Sequence, residues 1–349
     1  MNTVLVSRFS AIGDVAMAVP VVYSACRCYP DTRFVVLTRP SMVSISARRP
    51  QNLEVLGIDL KTQYRGVGGL RRLAAELRAR FAPHTFVDLQ GSSRTKILGL
   101  MLRLAGTART ARIDSDAAHR RRLTRSANKV MLPVEGIRDR YAAVFDRAGL
   151  PVEERFDDLY EGHATAPAEA YAAITPPKPA GMRWLGIAPF AAHEAKIYPP
   201  ELMKQVLDKL ARTPDLRIFL LGGAGDEAAT LEAWAAEYPN VTCLAGRRYG
   251  FGAETALFNH LDCMLTMDSC NMQLAAISGT TTLSIWGATH PFCGISPWRQ
   301  TEENTIQVPI TCRPCSATGE RPCARGDLMC LRAIRPDTVV DRVLALLGA

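Results

Sequence analysis

Strand-like and helix-like segments alternate along this chain in two successive series, and that alternation restricts the fold more than any other feature. In the first half Thr3–Ser7, Arg33–Thr38, Leu53–Leu56 and Thr85–Leu89 read as strands, and the clearest helix between them is Gly69–Phe81 (GLRRLAAELRARF). In the second half Trp184–Ala188, Leu216–Leu221, Val241–Leu244, Cys263–Thr266 and Thr282–Trp286 repeat the scheme, with Pro200–Arg212 and Asp226–Tyr238 as intervening helices. Such a pattern builds parallel sheets whose strands are joined by crossover helices. At 349 residues the chain exceeds the roughly 250–300 residues at which one core stops growing, so two α/β domains are expected. Between them the weakly periodic stretch from His163 to Gly181 ends in TPPKPAG, where Pro176, Pro177 and Pro179 forbid a helix. The expected division is a domain over 1–165, a linker over 166–182 and a domain over 183–349. Parallel sheets facing each other across a hinge bind ligands at the carboxyl ends of their strands, so a site drawing on both halves is expected.

The hydrophobic fraction of 48% suits a globular chain, and no run of about 18 apolar residues escapes a charge or a turn former, which excludes an integral membrane protein. Arg8 and Asp14 interrupt the apolar N-terminus and no clean cleavage site follows, so this segment reads as folded protein and the chain as cytoplasmic. Its ten Cys are then expected to stay reduced. The net charge of +8 is concentrated in Arg109, Arg112, Arg120, Arg121, Arg122, Arg125 and Lys129, opposed by Asp114 and Asp116. That segment suits an anionic partner, whether phosphorylated lipid, membrane surface or nucleic acid; a solvated charged loop is the plainer reading.

Three motifs carry chemistry. In TVLVS–RFSAIGDVAMAVPVV a strand ends, a loop carries Ser10 and Gly13, and a helix opens near Asp14. An acid there is a helix-end partner, and at the edge of the first strand it is also aimed into a ligand cleft. One glycine makes this loop neither a dinucleotide fingerprint nor a P-loop. In RIFLLGGAGDEAATLEAW, Gly223, Gly225 and Ala228 fit a loose pyrophosphate-binding turn, but the next strand ends at Ala245 and Gly246 without an acid, which disfavours a nicotinamide dinucleotide. Glu227 is then a ribose partner or a first-turn acid. In LDCMLTMDSCNMQLAAISGTTTLSIWGATHP a strand closes at Thr266 and a helix begins at Asp268 or Ser269. Its free amides and dipole offer a diphosphate site, although Asp-Ser is equally an N-cap.

The first and third of these regions, with VDLQGSSRTKILG, resemble the three signature regions of glycosyltransferase family 9, the ADP-heptose:lipopolysaccharide heptosyltransferases, from residue 3 to about Trp298. The resemblance implies a GT-B fold of two Rossmann-like domains and inverting, metal-independent transfer, with no cofactor. It also implies a nucleoside-diphosphate sugar donor and a glycolipid acceptor; the basic segment, with exposed apolar residues of the N-terminal domain, then suits peripheral contact with the inner face of the inner membrane. By the same resemblance Asp14 is the general base. Lys196 faces the donor phosphate, Glu227 holds the ribose, and Asp268, Ser269 and Gln273 lie in the diphosphate motif. The chain carries Cys270, Asn271 and Gln273 where family members usually have Gly, Pro and His; Gln cannot carry positive charge, so electrostatic help must come from Lys196, an Arg or the helix end.

The chemistry suits these residue types. Displacement at an anomeric carbon has an oxocarbenium-like transition state, so charge builds on the leaving diphosphate while the acceptor hydroxyl loses its proton late, when a carboxylate suffices as base. Asp88, Gln90 and Arg94 are acceptor-side candidates or a polar loop edge, and Arg120 and Arg121 with Arg122 suit phosphates or carboxylates of the acceptor. Cys312, Cys315, Cys323 and Cys330 leave open a structural tetrahedral metal, reduced thiols or a disulfide, none catalytic. His84, His119, His163, His193, His260 and His290 lack metal-ligand spacing. The competing readings are a nucleotide-sugar epimerase of the same layout and a nucleic-acid-binding module built on the Arg cluster; the latter lacks interleaved aromatics.

Overall fold

The computed structural model describes residues 2–46, 48–161 and 165–348. Two compact units divide the chain: Met1–Asp116 with Glu135–Gly162, and Ala117–Val134 with His163–Ala349.

The first unit holds a parallel sheet of β1 (Thr3–Ser7), β2 (Arg33–Thr38), β3 (Leu53–Gly57), β4 (Thr85–Asp88) and β5 (Arg109–Arg112), in the order β3-β2-β1-β4-β5. All five residues of β1 are buried, as a strand covered on both faces requires. Helices α1 (Ile12–Cys28), α2 (Gly66–Phe81) and α3 (Ser93–Leu104) follow β1, β3 and β4. Helix α2 buries Leu70, Leu73, Leu77 and Phe81, a helical period, and the last three pack with Leu5, Val35 and Phe86 of the sheet. Each such side chain contributes about 1.5–3 kcal/mol of burial. Strand order reverses between β1 and β4, so the loops leaving these two strands diverge and open a crevice at their carboxyl ends.

Helix α4 (Ala117–Leu123) belongs to the second unit, and α5 (Ile137–Arg147) returns to the first, packing against α1. The second unit has a parallel sheet of β6 (Arg183–Ala188), β7 (Leu216–Leu220), β8 (Val241–Cys243), β9 (Cys263–Met267), β10 (Thr282–Ile285) and β11 (Thr305–Ile306), in the order β11-β10-β9-β6-β7-β8. Its other helices are α6 (Pro200–Leu210), α7 (Asp226–Ala235), α8 (Phe251–Asn259), α9 (Cys270–Ile277), α10 (Met329–Arg332) and α11 (Pro336–Leu347). Here the reversal falls between β6 and β9, again opening a crevice at the carboxyl edge.

Two stretches lie elsewhere than expected. Residues 166–182, expected as a linker, pack on the second unit: Tyr171 meets Trp184 edge-on at 6.1 Å, and Lys178 Nζ lies 2.6 Å from Asp262 Oδ2. The prolines prevent a helix without loosening the chain. The basic stretch 117–134, expected within the first domain, also joins the second unit, because Leu123 and Val134 bury against Cys293 and the Val134 amide donates to Phe292 O at 2.8 Å. Among the described residues no helix is long and apolar enough to cross a membrane.

Candidate active-site clusters

At the carboxyl ends of β1 and β4 the chain spends several side chains on fixing one loop. Asp14 occupies the first turn of α1 and reaches back, so that its Oδ2 accepts from the Ala11 amide at 2.9 Å. The same oxygen lies 2.5 Å from Arg8 Nη2. Arg8 is 8% exposed, and burial of its charge is offset by Asp14, by Leu89 O at 2.7 Å and by the Tyr141 ring at 5.6 Å. Both recorded Asp14 contacts fall on Oδ2, and the carboxylate is one-third exposed. Oδ1 is therefore the carboxylate oxygen that neither of these two contacts uses.

Two of the acceptor-side candidates are committed internally. Asp88 is 1% exposed; its Oδ1 accepts from Ser7 Oγ and from the Gln90 and Gly91 amides, and its Oδ2 from Arg112 Nε. Gln90 Oε1 accepts from the Phe9 and Ser10 amides at 2.8 and 3.0 Å. These residues hold the loop that carries Asp14, a buried network whose members satisfy one another. Arg94 is exposed on the first turn of α3. Arg120 and Arg121 sit on α4 and so belong to the second unit.

The second cluster lies where β9 runs into α9. Asp268, 4% exposed, places Oδ2 at 2.9 Å from Lys196 Nζ and accepts from Thr289 Oγ1 at 2.8 Å. Ser269 is the N-cap residue, but its side chain does not cap an amide; its Oγ pairs with Thr266 Oγ1 at 3.2 Å. The first turn of α9 is therefore left without a side-chain cap from Ser269, with about half a positive charge at that helix end. Gln273 is turned elsewhere: buried, it donates through Nε2 to Ile295 O at 2.7 Å, so the position where family members carry His here ties down a loop. Glu227 Oε2 accepts from the Gly223 amide at 2.6 Å within the glycine turn that opens α7.

Sequence reasoning missed three contributors. Arg8 is signalled by a charge inside an apolar N-terminal run, and Thr289 by its place in WGATHP. Glu254, on α8 where it packs against α9, leaves no mark in sequence; burial pushes its carboxyl up from the usual range, and its field reaches Cys270, whose own thiol is pushed up chiefly by burial. His290 serves locally, accepting from the Phe292 amide at 3.1 Å; burial, then Arg313, lower its pKa to about 4, so it stays neutral. His163 lies outside the described residues.

A family model described as glycosyltransferase family 9 (heptosyltransferase) matches residues 89–324. The chain belongs to glycosyltransferase family 9. Solved structures agree in fold: heptosyltransferase II of E. coli superposes with a TM-score of 0.72 at 17% identity, covering 99% of this chain and 98% of that one. A family 9 glycosyl transferase of Veillonella parvula gives 0.71 at 17% identity, covering 99% and 97%. E. coli heptosyltransferase WaaC with ADP gives 0.66 at 16% identity, covering 99% of each chain. No curated protein matches. This family 9 glycosyltransferase therefore has the expected GT-B fold.

Proposed function

We propose that this chain moves a heptose or similar sugar from a nucleoside diphosphate, ADP-heptose first among them, to a lipopolysaccharide core or related cell-envelope glycolipid, with inversion and without a catalytic metal. The observation that carries this reading is Lys196 paired with Asp268 beside the uncapped start of α9 at the β6/β9 switch point, in a member of family 9. Lys196 has three N–H donors, so it can keep Asp268 and still bond a phosphate oxygen. Glu227 would meet the ribose; Asp14 Oδ1 would take the acceptor proton. Fixed dipoles and a cation aimed at the leaving diphosphate act where charge develops.

The test is incubation with ADP-heptose and with other nucleoside-diphosphate sugars, with and without heptose-deficient core glycolipid. The bound donor at a hundred times its Kd should add about 2.7 kcal/mol of stability, and sugar transfer should require the acceptor. Conversion of the donor without acceptor would make the chain an epimerase instead.

The acceptor is amphiphilic, and one surface of the second unit suits a membrane. Arg121, Arg122 and Arg125 are exposed beside Val130, Met131 and Leu132, the last 67% exposed. At about 1 kcal/mol per basic residue near an anionic surface, Arg121→Glu/Arg122→Glu should weaken sedimentation with anionic phospholipid vesicles by at least roughly thirtyfold. Binding of the parent chain should fall as salt rises. Salt-insensitive binding, or none, would remove this surface from the reading.

A further inference from the structure

The basic stretch and the loop that follows β11 enclose a cavity in the second unit, none of whose side chains enters the transfer reaction proposed above. Its volume is about 500 Å³, within the roughly 300–1,000 Å³ of small-molecule sites. Lys129 and Arg313 line it together with Met131, Val308 and Ile310, and no Asp or Glu is among its lining residues. Gln307, Pro309 and Thr311, which also line it, are exposed, so it opens to solvent. We propose that this cavity holds the phosphate group of a lipid, with Lys129 and Arg313 on the phosphate and the apolar wall against the start of the lipid's chains, at a site separate from that of the sugar donor.

The two cations are what call for an anion. Arg313 is 5% exposed, and four of its five N–H donors go to uncharged oxygens: Gly287 O at 2.5 Å, Val308 O at 2.8 Å, and Thr289 O and Gln307 Oε1 at 3.0 Å. Lys129 Nζ donates to Cys312 O and to Pro314 O, the latter at 2.9 Å, which leaves one of its three donors. Among the described residues neither cation forms an ion pair. A buried charge is normally paired, because a shell of neutral carbonyls offsets only part of the hydration it has lost. A phosphate in the cavity meets both charges, through the remaining N–H of Arg313 Nη1 and the remaining one of Lys129 Nζ, and bonds of this kind are the strong ones. His290, also in the wall, adds a donor without charge: its Nδ1 accepts from the Phe292 amide, so the proton of the neutral ring is on Nε2.

The rest of the wall selects what carries the phosphate. A bare anion leaves most of such a volume to water, at about 30 Å³ per molecule, against the apolar faces of Met131, Val308 and Ile310. Met131 has two surroundings: it lines the cavity and stands in the exposed run of Val130, Met131 and Leu132. A chain leaving the phosphate can therefore pass along Met131 onto that run and cover apolar surface all the way. The run is held to the unit by the bond from the Val134 amide to Phe292 O and by burial of Leu123 and Val134 against Cys293, so the wall is preformed and little ordering opposes binding. The surface that carries Arg121, Arg122 and Arg125 thereby gains one defined headgroup site, and the site itself needs no bilayer.

The test is calorimetric titration of the full chain with dihexanoylphosphatidic acid below its micelle concentration. Glycerol phosphate supplies the phosphate without chains, dihexanoylphosphatidylcholine supplies the chains with a neutralised headgroup, and the first titration is repeated with saturating ADP. One phosphatidic acid per chain is expected, bound roughly tenfold or more tighter than either control and undiminished by ADP. Lys129→Met should weaken it by roughly tenfold to a hundredfold, the loss of one charge-assisted contact. Met131→Glu puts an acid at an exposed position of the wall, should weaken binding by at least about tenfold, and decides the matter if Lys129→Met does not fold. No binding, equal affinity for glycerol phosphate or for phosphatidylcholine, displacement by ADP, or full affinity in Met131→Glu would each overturn the site. Binding of the soluble lipid by a chain that ignores anionic vesicles would count against the membrane surface and leave the site standing.

Discussion

Asp14→Asn should retain donor binding and lose turnover by about 10²–10⁴-fold, the range for removal of a positioned general base. The substitution is nearly isosteric. An amide oxygen in the place of Oδ2 still accepts from the Ala11 amide and from Arg8 Nη2, whose present contacts are 2.9 and 2.5 Å. The NH2 group then stands where Oδ1 now faces solvent, and it has no lone pair for a proton. Stability should change little, since Arg8 keeps Leu89 O and the Tyr141 ring. The proposed donor residues Lys196, Glu227 and Asp268 all lie on the other unit, so the thermal shift produced by nucleoside diphosphate should be the same in variant and parent. Single-turnover transfer to the glycolipid acceptor separates the outcomes: full activity in the variant would remove Asp14 from the chemistry, and loss of the donor's thermal shift would assign it to binding.

The strands most sharply legible in sequence are the central, mainly buried ones. TVLVS, RFVVLT and CMLTM are mainly apolar runs bounded by polar turns, and they became β1, β2 and β9 with ends within a residue of expectation. Strands β5 and β11 were not legible, for a physical reason. They are edge strands: RTAR buries only Ala111, and Thr305–Ile306 is two residues long. An edge strand needs one paired side and is safe when short or charged, so these two carry no hydrophobic signature, whereas the edge strands β3 and β8 keep apolar residues and were legible. The basic stretch misled in a similar way. Its charges dominate the sequence, while its placement is decided by two apolar side chains, Leu123 and Val134.

For the site clusters, local chemistry was legible and partnership was not. Asp14, Ser269 and Glu227 stand at helix starts, which can be read from a strand, a turn and a helix in succession. Asp88 and Gln90 sit at the right strand end, yet Gln90 turns toward the Phe9 and Ser10 amides of another loop, a pairing across 80 residues of sequence for Ser10, and Asp88 toward Ser7, Arg112 and the amides of its own loop. The same limit hid the role of Arg8, whose charge marks it as unusual but whose partners come from three separate segments. Networks of this kind carry no sequence period, so only the fold reveals which polar residue meets substrate and which holds the one that does.

Lys196→Met is expected to damage both stability and donor binding, and a second substitution separates the two. Lys196 and Asp268 side chains are 12% and 5% exposed and 2.9 Å apart. Removing the lysine leaves a buried carboxylate with Thr289 as its remaining recorded partner, a loss of about 3–5 kcal/mol. In a unit of this size that lowers Tm by roughly 10 °C. Asp268→Asn in the same chain removes the stranded charge and lets the amide still accept from Thr289 Oγ1, so most of the lost Tm should return. Donor binding should not return with it. A charge-assisted bond to phosphate contributes about 1.5–3 kcal/mol, so both the single and the double variant should bind nucleoside diphosphate roughly tenfold to a hundredfold more weakly than the parent chain. Calorimetric titration of the double variant decides the matter, since it is folded and comparable with the parent. If its affinity returns with its stability, Lys196 serves the fold alone, and the helix-end amides of α9 hold the diphosphate without it.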